Sequence, residues 1–312
     1  MRPERPAAKQ QEREVSRTPP PLVVRGRAVD LTEPALMGIV NATPDSFSDG
    51  GLHPTTEARV GFALELADQG ATIIDVGGQS GITGVPEVAV GEEIARVVPV
   101  VEGILAAASG LVVSVDTYRP AVVEAVLAAG AALVNDVSGL LHPEVAELCG
   151  SVRAGLVIMH TRAQPKHKVL DPDLYDDVTV DVVGFLRRRI DAALARGMEP
   201  AGIVVDPGPD FAKTPAQTVE VLRRIDQVRA LGRPVLLALS RKDFVGAITG
   251  RPPRARLAGT LAAVGALARP GTILRVHDVG AVRDFLAVAA VLDGRTELPA
   301  DVRLAENLRW ER

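Results

Sequence analysis

The chain has 312 residues, 47% of them hydrophobic and 24% charged, which is enough apolar material for a buried core and excludes disorder over most of its length. A formal net charge of −4 and the lack of any long basic stripe exclude a nucleic-acid or anionic-membrane surface and point to small ligands as partners. One cysteine, Cys149, excludes an internal disulfide and a multi-cysteine zinc site, and its apolar neighbours make it a buried thiol suited to a reducing cytoplasm.

Residues 1–20, MRPERPAAKQQEREVSRTPP, are polar and Pro-containing without an apolar secretory segment, and read as a disordered, flexible tail. No later apolar run approaches the ~20 residues that cross a bilayer, so no membrane partner is expected. Residues 23–31, VVRGRAVDL, are predicted to form an N-terminal β-hairpin that caps the bottom of the domain. From residue 35 the chain alternates short β-type runs with longer Ala/Leu/Val-rich helical segments. Strand candidates fall at 35–41, 72–78, 111–116, 132–137, 155–160, 202–208, 234–240 and 272–278. Gly-Ala pairs at 70–71 and 130–131 sit where a helix ends and a strand begins. Strand followed by helix, repeated about eight times with no dividing linker, predicts an α/β fold, a single (β/α)8 TIM barrel spanning 21–296, with 297–312 as a C-terminal extension.

The strand ends carry the chemistry. Asn41, Asp75, Asp116, Asn135 with Asp136, His160, Asp206, Ser240 with Arg241 and Lys242, and Arg275 with His277 all stand there. A closed barrel brings those ends to one mouth. Helix capping accounts equally well for any single one, such as Asp116 before Thr117, but not for the cations Lys242, Arg275 and His277, which a helix N-terminus disfavours. Asp116, Asn135 and Asp206 suit a flat heterocycle presenting a row of N–H donors. Arg275, His277 and Asn41 suit a diphosphate with Mg²⁺, an ion that takes few protein ligands. The stretch at 37–51, MGIVNATPDSFSDGG, ends a strand on Asn41 and opens into an Asp/Ser/Gly loop, either a phosphate-handling loop or a capped βα turn.

MGIVNATPDSFSDGG together with VSVDTYR (113–119), VNDVSG (134–139), MH (159–160), DPGPDFAKT (206–214), SRKDFVG (240–246) and ILRVHDV (273–279) closely resembles the dihydropteroate synthase family, in the family's order, over residues 22–294. The resemblance implies a pterin-binding TIM barrel that displaces pyrophosphate from a 6-hydroxymethyl-dihydropterin diphosphate with the amine of p-aminobenzoate. It implies that Asp116, Asn135, Asp206 and Lys242 hold the pterin, with Met159 and Phe211 lining its pocket. Asn41, Arg275 and His277 would hold the diphosphate and its Mg²⁺, with Asn41 as the metal ligand. The loop from Thr43 to Gly51 would close over the aminobenzoate site, flanked by Ser240 and Lys242. A homodimer is implied as well; the Ala/Val-rich helices near 257–290 are accounted for equally by such a face or by buried barrel packing.

One segment departs from the family's pattern. Where the family usually reads Gly-Gly-Glu-Ser-Thr-Arg-Pro-Gly, residues 77–84 read Gly-Gly-Gln-Ser-Gly-Ile-Thr-Gly, so Gln79 replaces a Glu, Gly81 a Thr, Ile82 an Arg and Thr83 a Pro. Three readings follow: an active synthase with a remodelled loop, a paralogue using another amine, or a pterin-binding protein without transferase activity. A methyltetrahydrofolate-type methyltransferase leaves SRKDF and RVHDV unexplained. No leaving-group residue is lost, so turnover is expected. His53, His142 and His167 read as surface residues, residues 162–173 as a solvated loop at the pocket rim, and Arg187 to Arg189 as a solvated helix face.

Overall fold

The computed structural model describes residues 20–43, 53–79 and 86–309. The tail ahead of residue 20, residues 44–52 with the first loop, positions 80–85 with the second loop and the last three residues of the chain lie outside the described residues.

A short antiparallel hairpin, β1 (Leu22–Val24) and β2 (Arg27–Val29), precedes the barrel. Its two-residue turn places Arg25 and Gly26 both at positive φ, the conformation whose twist matches paired strands. The Arg25 side chain donates to the carbonyls of Leu127 and Ala131, tying the hairpin to the end of a barrel helix.

The barrel strands are β3 (Ala35–Asn41), β4 (Ile73–Gly77), β5 (Val112–Asp116), β6 (Leu133–Asp136), β7 (Gly155–Met159), β8 (Ile203–Asp206), β9 (Val235–Leu237) and β10 (Thr272–Val276). They close in sequence order, with β10 pairing β3 in parallel. Between them run α1 (Thr56–Asp68), α2 (Val90–Ala107), α3 (Pro120–Ala128), α4 (Glu144–Ser151), α5 (Val178–Leu194), α6 (Pro215–Arg223), α7 (Ile225–Arg229), α8 (Asp243–Thr249), α9 (Leu257–Leu267) and, last, α10 (Val279–Leu292). Several helices start on side-chain caps, Thr55 for α1, Asp177 for α5 and a Thr214–Gln217 capping box for α6. This is the predicted (β/α)8 barrel with its hairpin, and among the described residues no helix is long and apolar enough to cross a membrane.

Side chains of a strand alternate between faces, which divides the core in two. Leu36, Val40, Ile74, Val113, Val134 and Leu156 point outward into a cluster shared with the helices. Met37, Ile73, Val112, Leu133, Val157, Val204, Leu236 and Ile273 point inward and fill the lower barrel together with Leu22 and Val24 of the hairpin. Each fully buried Val, Leu or Ile contributes roughly 1.5–3 kcal/mol. Gly155 is needed for the hairpin's close approach, since a Cβ there would lie 2.7 Å from both Val24 and Leu133. The apolar plug seals the bottom, and only the upper, polar end of the interior stays open.

The strands end earlier than their apolar runs suggest, at Asp206 rather than 208 and at Leu237 rather than 240. After Asp206 the chain leaves the ladder because the carboxylate accepts the Gly208 N–H at 2.7 Å and Gly208 takes positive φ.

Cys149 lies in α4, fully buried, and burial pushes its thiol up to about 12. A thiol reagent such as Ellman's at pH 8 should therefore leave the native protein unlabelled and modify Cys149 fully after denaturation. Rapid labelling of the native protein would show that α4 does not pack as described.

Candidate active site

Counting up the barrel by twos from the apolar plug reaches the site. Above Ile73 comes Asp75, above Val112 come Ser114 and Asp116, above Leu133 comes Asn135, above Val204 comes Asp206, and above Ile273 come Arg275 and His277. Asp75 is fully buried and its carboxylate accepts from Ser114 Oγ (2.6 Å), Asn135 Nδ2 (3.1 Å) and Arg275 Nε (2.6 Å). Arg275 Nη2 in turn donates to Asp116 Oδ2 at 3.1 Å. A carboxylate can only accept, so Asp75 turns the Asn135 amide nitrogen toward itself and leaves Asn135 Oδ1 facing elsewhere. That oxygen is buried without a partner, an arrangement that costs about 1–3 kcal/mol until an N–H donor arrives.

Above this layer lies a cavity of about 780 Å³, lined by the residues that the family resemblance assigned to the site: Asn41, Asp116, Asn135, Met159, Asp206, Phe211, Ser240, Lys242, Arg275 and His277. Residues from 41 to 277 thus converge on one mouth. The Lys242 ammonium stands 4.6 Å from the Phe211 ring centre, a cation–π contact that fixes both against the cavity wall.

Burial sets the charge state of these groups. Asp116 and Asp206 are each pushed up to about 6 by loss of solvent, opposed by Arg275 for the first and by the Gly208 N–H and Lys242 for the second. Lys242 is lowered by burial. His277 differs from the cation expected at that position. Burial first, then Arg241, Arg275 and Lys242, hold it down to about 3, so it is a neutral imidazole whose Nδ1 meets Ser240 Oγ at 2.9 Å. Arg275 also differs from a free rim cation, since its guanidinium lies within the carboxylate layer, paired to Asp75 and Asp116.

Two strand-end residues turn away from the cavity, for the reason that places their neighbours in it. Asp136 follows inward Asn135 and so faces outward, where it accepts from Ser138 N and Oγ in a turn; it caps no helix, since α4 starts behind Pro143 without a side-chain cap. His160 follows inward Met159 and reaches Asp181 of α5 at 3.0 Å and Lys213 at 2.8 Å.

The loop after β7 is more than the solvated rim expected of residues 162–173. Thr161 and Ala163 to His167, with Thr117 and Tyr118, wall a smaller recess of about 90 Å³ that shares Gln79, Asp116, Val137 and Phe211 with the main cavity. Lys166 there feels Asp116 and Glu87. Lys166, Tyr118 and the mouth residue Arg254 were not nominated from sequence, since none stands at a strand end.

Gln79 now has a partner. Its Nε2 donates to Glu93 Oε2 at 2.8 Å, and Glu93, fully buried in α2, pairs with Arg119. Arg119 also donates to Val88 O (2.7 Å), Arg96 donates to Gly78 O (3.1 Å), and Tyr118 OH bonds Glu87. Residues 78–79 and 87–88, on either side of positions 80–85, are therefore both fixed to α2 and to the end of β5. An amide at 79 can donate to the Glu93 carboxylate, whereas a second carboxylate would repel it.

Comparison with known proteins places this barrel. The family model described as pterin binding enzyme matches residues 37–277. A Streptococcus pyogenes dihydropteroate synthase is 40% identical over 271 residues, 86% of this chain and 98% of the relative. The Xanthomonas albilineans dihydropteroate synthase solved with 4-aminobenzoic acid is 41% identical, with a TM-score of 0.79 over 90% of this chain and 100% of that one. The same enzyme solved with 7,8-dihydropteroate is 40% identical with a TM-score of 0.77 over 90% and 100% of the two chains.

Gln79→Glu should lower stability by about 2 kcal/mol in urea denaturation at pH 7.5, because two neighbouring carboxylates would then share one arginine. The loss should shrink as the pH falls and one of the two takes up a proton. Adding Glu93→Gln should restore most of it by exchanging the acid and the amide. Equal stability of Gln79→Glu and the parent chain would count against the pairing.

Proposed function

The chain belongs to the dihydropteroate synthase branch of the pterin-binding enzymes, and on that premise we propose that it joins 6-hydroxymethyl-7,8-dihydropterin diphosphate to p-aminobenzoate and releases pyrophosphate. The observation that carries the residue roles is the unpartnered Asn135 Oδ1 between Asp116 and Asp206, a row of acceptors on one wall of a cavity whose other wall carries Arg275, His277, Ser240 and Asn41. A pterin edge supplies the missing N–H donors, and the diphosphate lies toward the basic side. The solved relatives with dihydropteroate and 4-aminobenzoic acid support this reading over a paralogue using another amine or a binder without turnover.

Asp206, Asn135 and Asp116 accept from ring N–H groups, Met159 offers an apolar surface to the ring, and Lys242, held over Phe211, donates to a ring acceptor. The C–O bond to the diphosphate breaks as the aryl amine lone pair forms the new C–N bond, and the amine releases one proton. Positive charge grows on the exocyclic methylene, which the carboxylates stabilise. Negative charge grows on the leaving oxygen, where Arg275 and the imidazole of His277 offer N–H groups. No side chain need attack the substrate.

The residues also fit Mg²⁺. Among the described residues there is no cluster of three or more His, Cys, Asp or Glu that would cage a metal, whereas one amide oxygen at the mouth, that of Asn41, suits an ion that keeps most of its waters and takes the rest of its ligands from phosphate. When bound with the diphosphate, Mg²⁺ supplies charge neutralisation to the leaving group.

The chain further reads as a cytoplasmic homodimer. Its apolar helices α9 and α10 bury only Thr260 and Val264, and Val279 and Val282, and leave Val288 and Leu292 59% and 81% exposed. That apolar face suits a second copy of the chain.

The purified chain should release pyrophosphate from the pterin diphosphate only when Mg²⁺ and p-aminobenzoate are both present. Asp206→Asn should lower kcat/KM for the pterin by roughly 100-fold, the scale of one charged transition-state contact. Tight pterin binding with no release for any aryl amine would overturn the reading.

A further inference from the structure

Lys213 is the largest of the fully buried side chains, 1% exposed, and belongs to none of the roles assigned above. It sits in the loop after β8, and its ammonium has three N–H groups and three close acceptors: His160 Nδ1 (2.8 Å), Gly208 O (3.0 Å) and Phe211 O (3.0 Å). His160 is fitted to this task. Its Nε2 faces the Asp181 carboxylate, which only accepts, so the ring proton is on Nε2 and Nδ1 is left bare for the ammonium.

Both backbone groups that Lys213 grips belong to the site. Gly208 donates its N–H to Asp206 Oδ1 at 2.7 Å, so the ammonium reaches the pterin-side carboxylate through a single residue. Phe211 lies against Lys242 on the cavity wall. Only glycine lets the loop approach the end of β7 this closely, because Gly208 has φ +65 and a Cβ on it would stand 2.1 Å from His160 O.

We propose that Lys213 is a positioning residue for the condensation, holding Asp206 and Phe211 in place through the loop after β8 and lending a buried positive charge that keeps Asp206 ionised for the pterin. This rests on the synthase reading above. The groups facing Asp206 are Lys242, Lys213 and Arg275; those facing Lys213 are Asp206, Lys242, Asp181, Asp210 and the neutral His160. Against burial, those cations hold Asp206 to about 6, while Lys213, lowered by burial to about 7, still carries its proton where Asp206 ionises. Since the pterin needs the carboxylate, kcat/KM falls as the pH drops below about 6, and removing a nearby cation moves that acid limb to higher pH.

The test is the pH profile of kcat/KM for the pterin diphosphate, from pH 5 to 9, in the parent chain, Lys213→Gln and Lys213→Arg. Lys213→Gln, which keeps donors but no charge, should move the acid limb up by about one pH unit and lose about tenfold at pH 6 while losing less than about threefold at pH 8.5. Lys213→Arg, which keeps the charge, should leave the limb in place, and KM for p-aminobenzoate should change by less than about twofold in both variants. Binding of the unreactive 6-hydroxymethylpterin, followed by its fluorescence over the same pH range, should show the same displacement for Lys213→Gln. A limb in Lys213→Gln that coincides with the parent's, an equal shift in Lys213→Arg, or failure of both variants to fold would each overturn the proposal in favour of a purely structural lysine. A parent chain without turnover would instead defeat the synthase reading, so the two failures are distinct.

Discussion

The buried ion pair between Asp75 and Arg275 organises the polar half of this barrel. A carboxylate shut off from water survives only if its lone pairs are occupied, and here Ser114, Asn135 and Arg275 occupy them. Satisfying Asp75 fixes the groups around it. Arg275 cannot swing freely to the rim, Asn135 cannot turn its amide, and Asp116 is drawn to the second arm of the same guanidinium. The acceptor presented by Asn135 is thus a consequence of a charge one layer below it. A buried pair of this kind contributes little net stability, and its value lies in what it holds in place.

The next constraint is charge balance. Asp75, Asp116 and Asp206 face Arg275, Lys242 and Lys213 in and around one cavity. Burial lifts the exposed-facing acids toward about 6 and pulls the lysines down, so each side keeps the other charged. His277 is the group left neutral, by burial first and then by the three cations near it. A diphosphate arriving beside it would reverse the sign of its surroundings and favour its protonation, turning an imidazole into a cation only when there is a leaving group to meet it.

Much of this was legible in the sequence, and the limits have a physical pattern. Alternation of β-type and helical runs gave the barrel, because side-chain period is local. The end of each run gave a position at the mouth, and the count by twos from Met37, Val112 or Leu133 up to Asn41, Asp116 or Asn135 tells which strand-end residues face inward. The same count would have removed Asp136 and His160, one step out of phase. What local pattern does not carry is partnership across the chain. Arg275 and Asp75 are 200 residues apart, and Lys213 and His160 53, so neither a buried ion pair nor a lysine saturated by a neighbouring strand's histidine can be seen before the ring is closed. The charge of His277 depends on burial and on three such partners at once, none of which local pattern carries.

The second loop shows how that limit bears on function. Gln79, taken singly, is a lost acid beside an active site and argues for weakened chemistry. Placed against Glu93 it is the residue that a buried acid on α2 selects, because Arg119 can neutralise one carboxylate there and not two. Arg119 follows Asp116 by three residues on the same strand end and also grips Val88, so the frame of the second loop is continuous with the wall of the pterin cavity. A substitution inside such a frame changes its electrostatics without releasing it. The departure at 79 therefore says little against turnover.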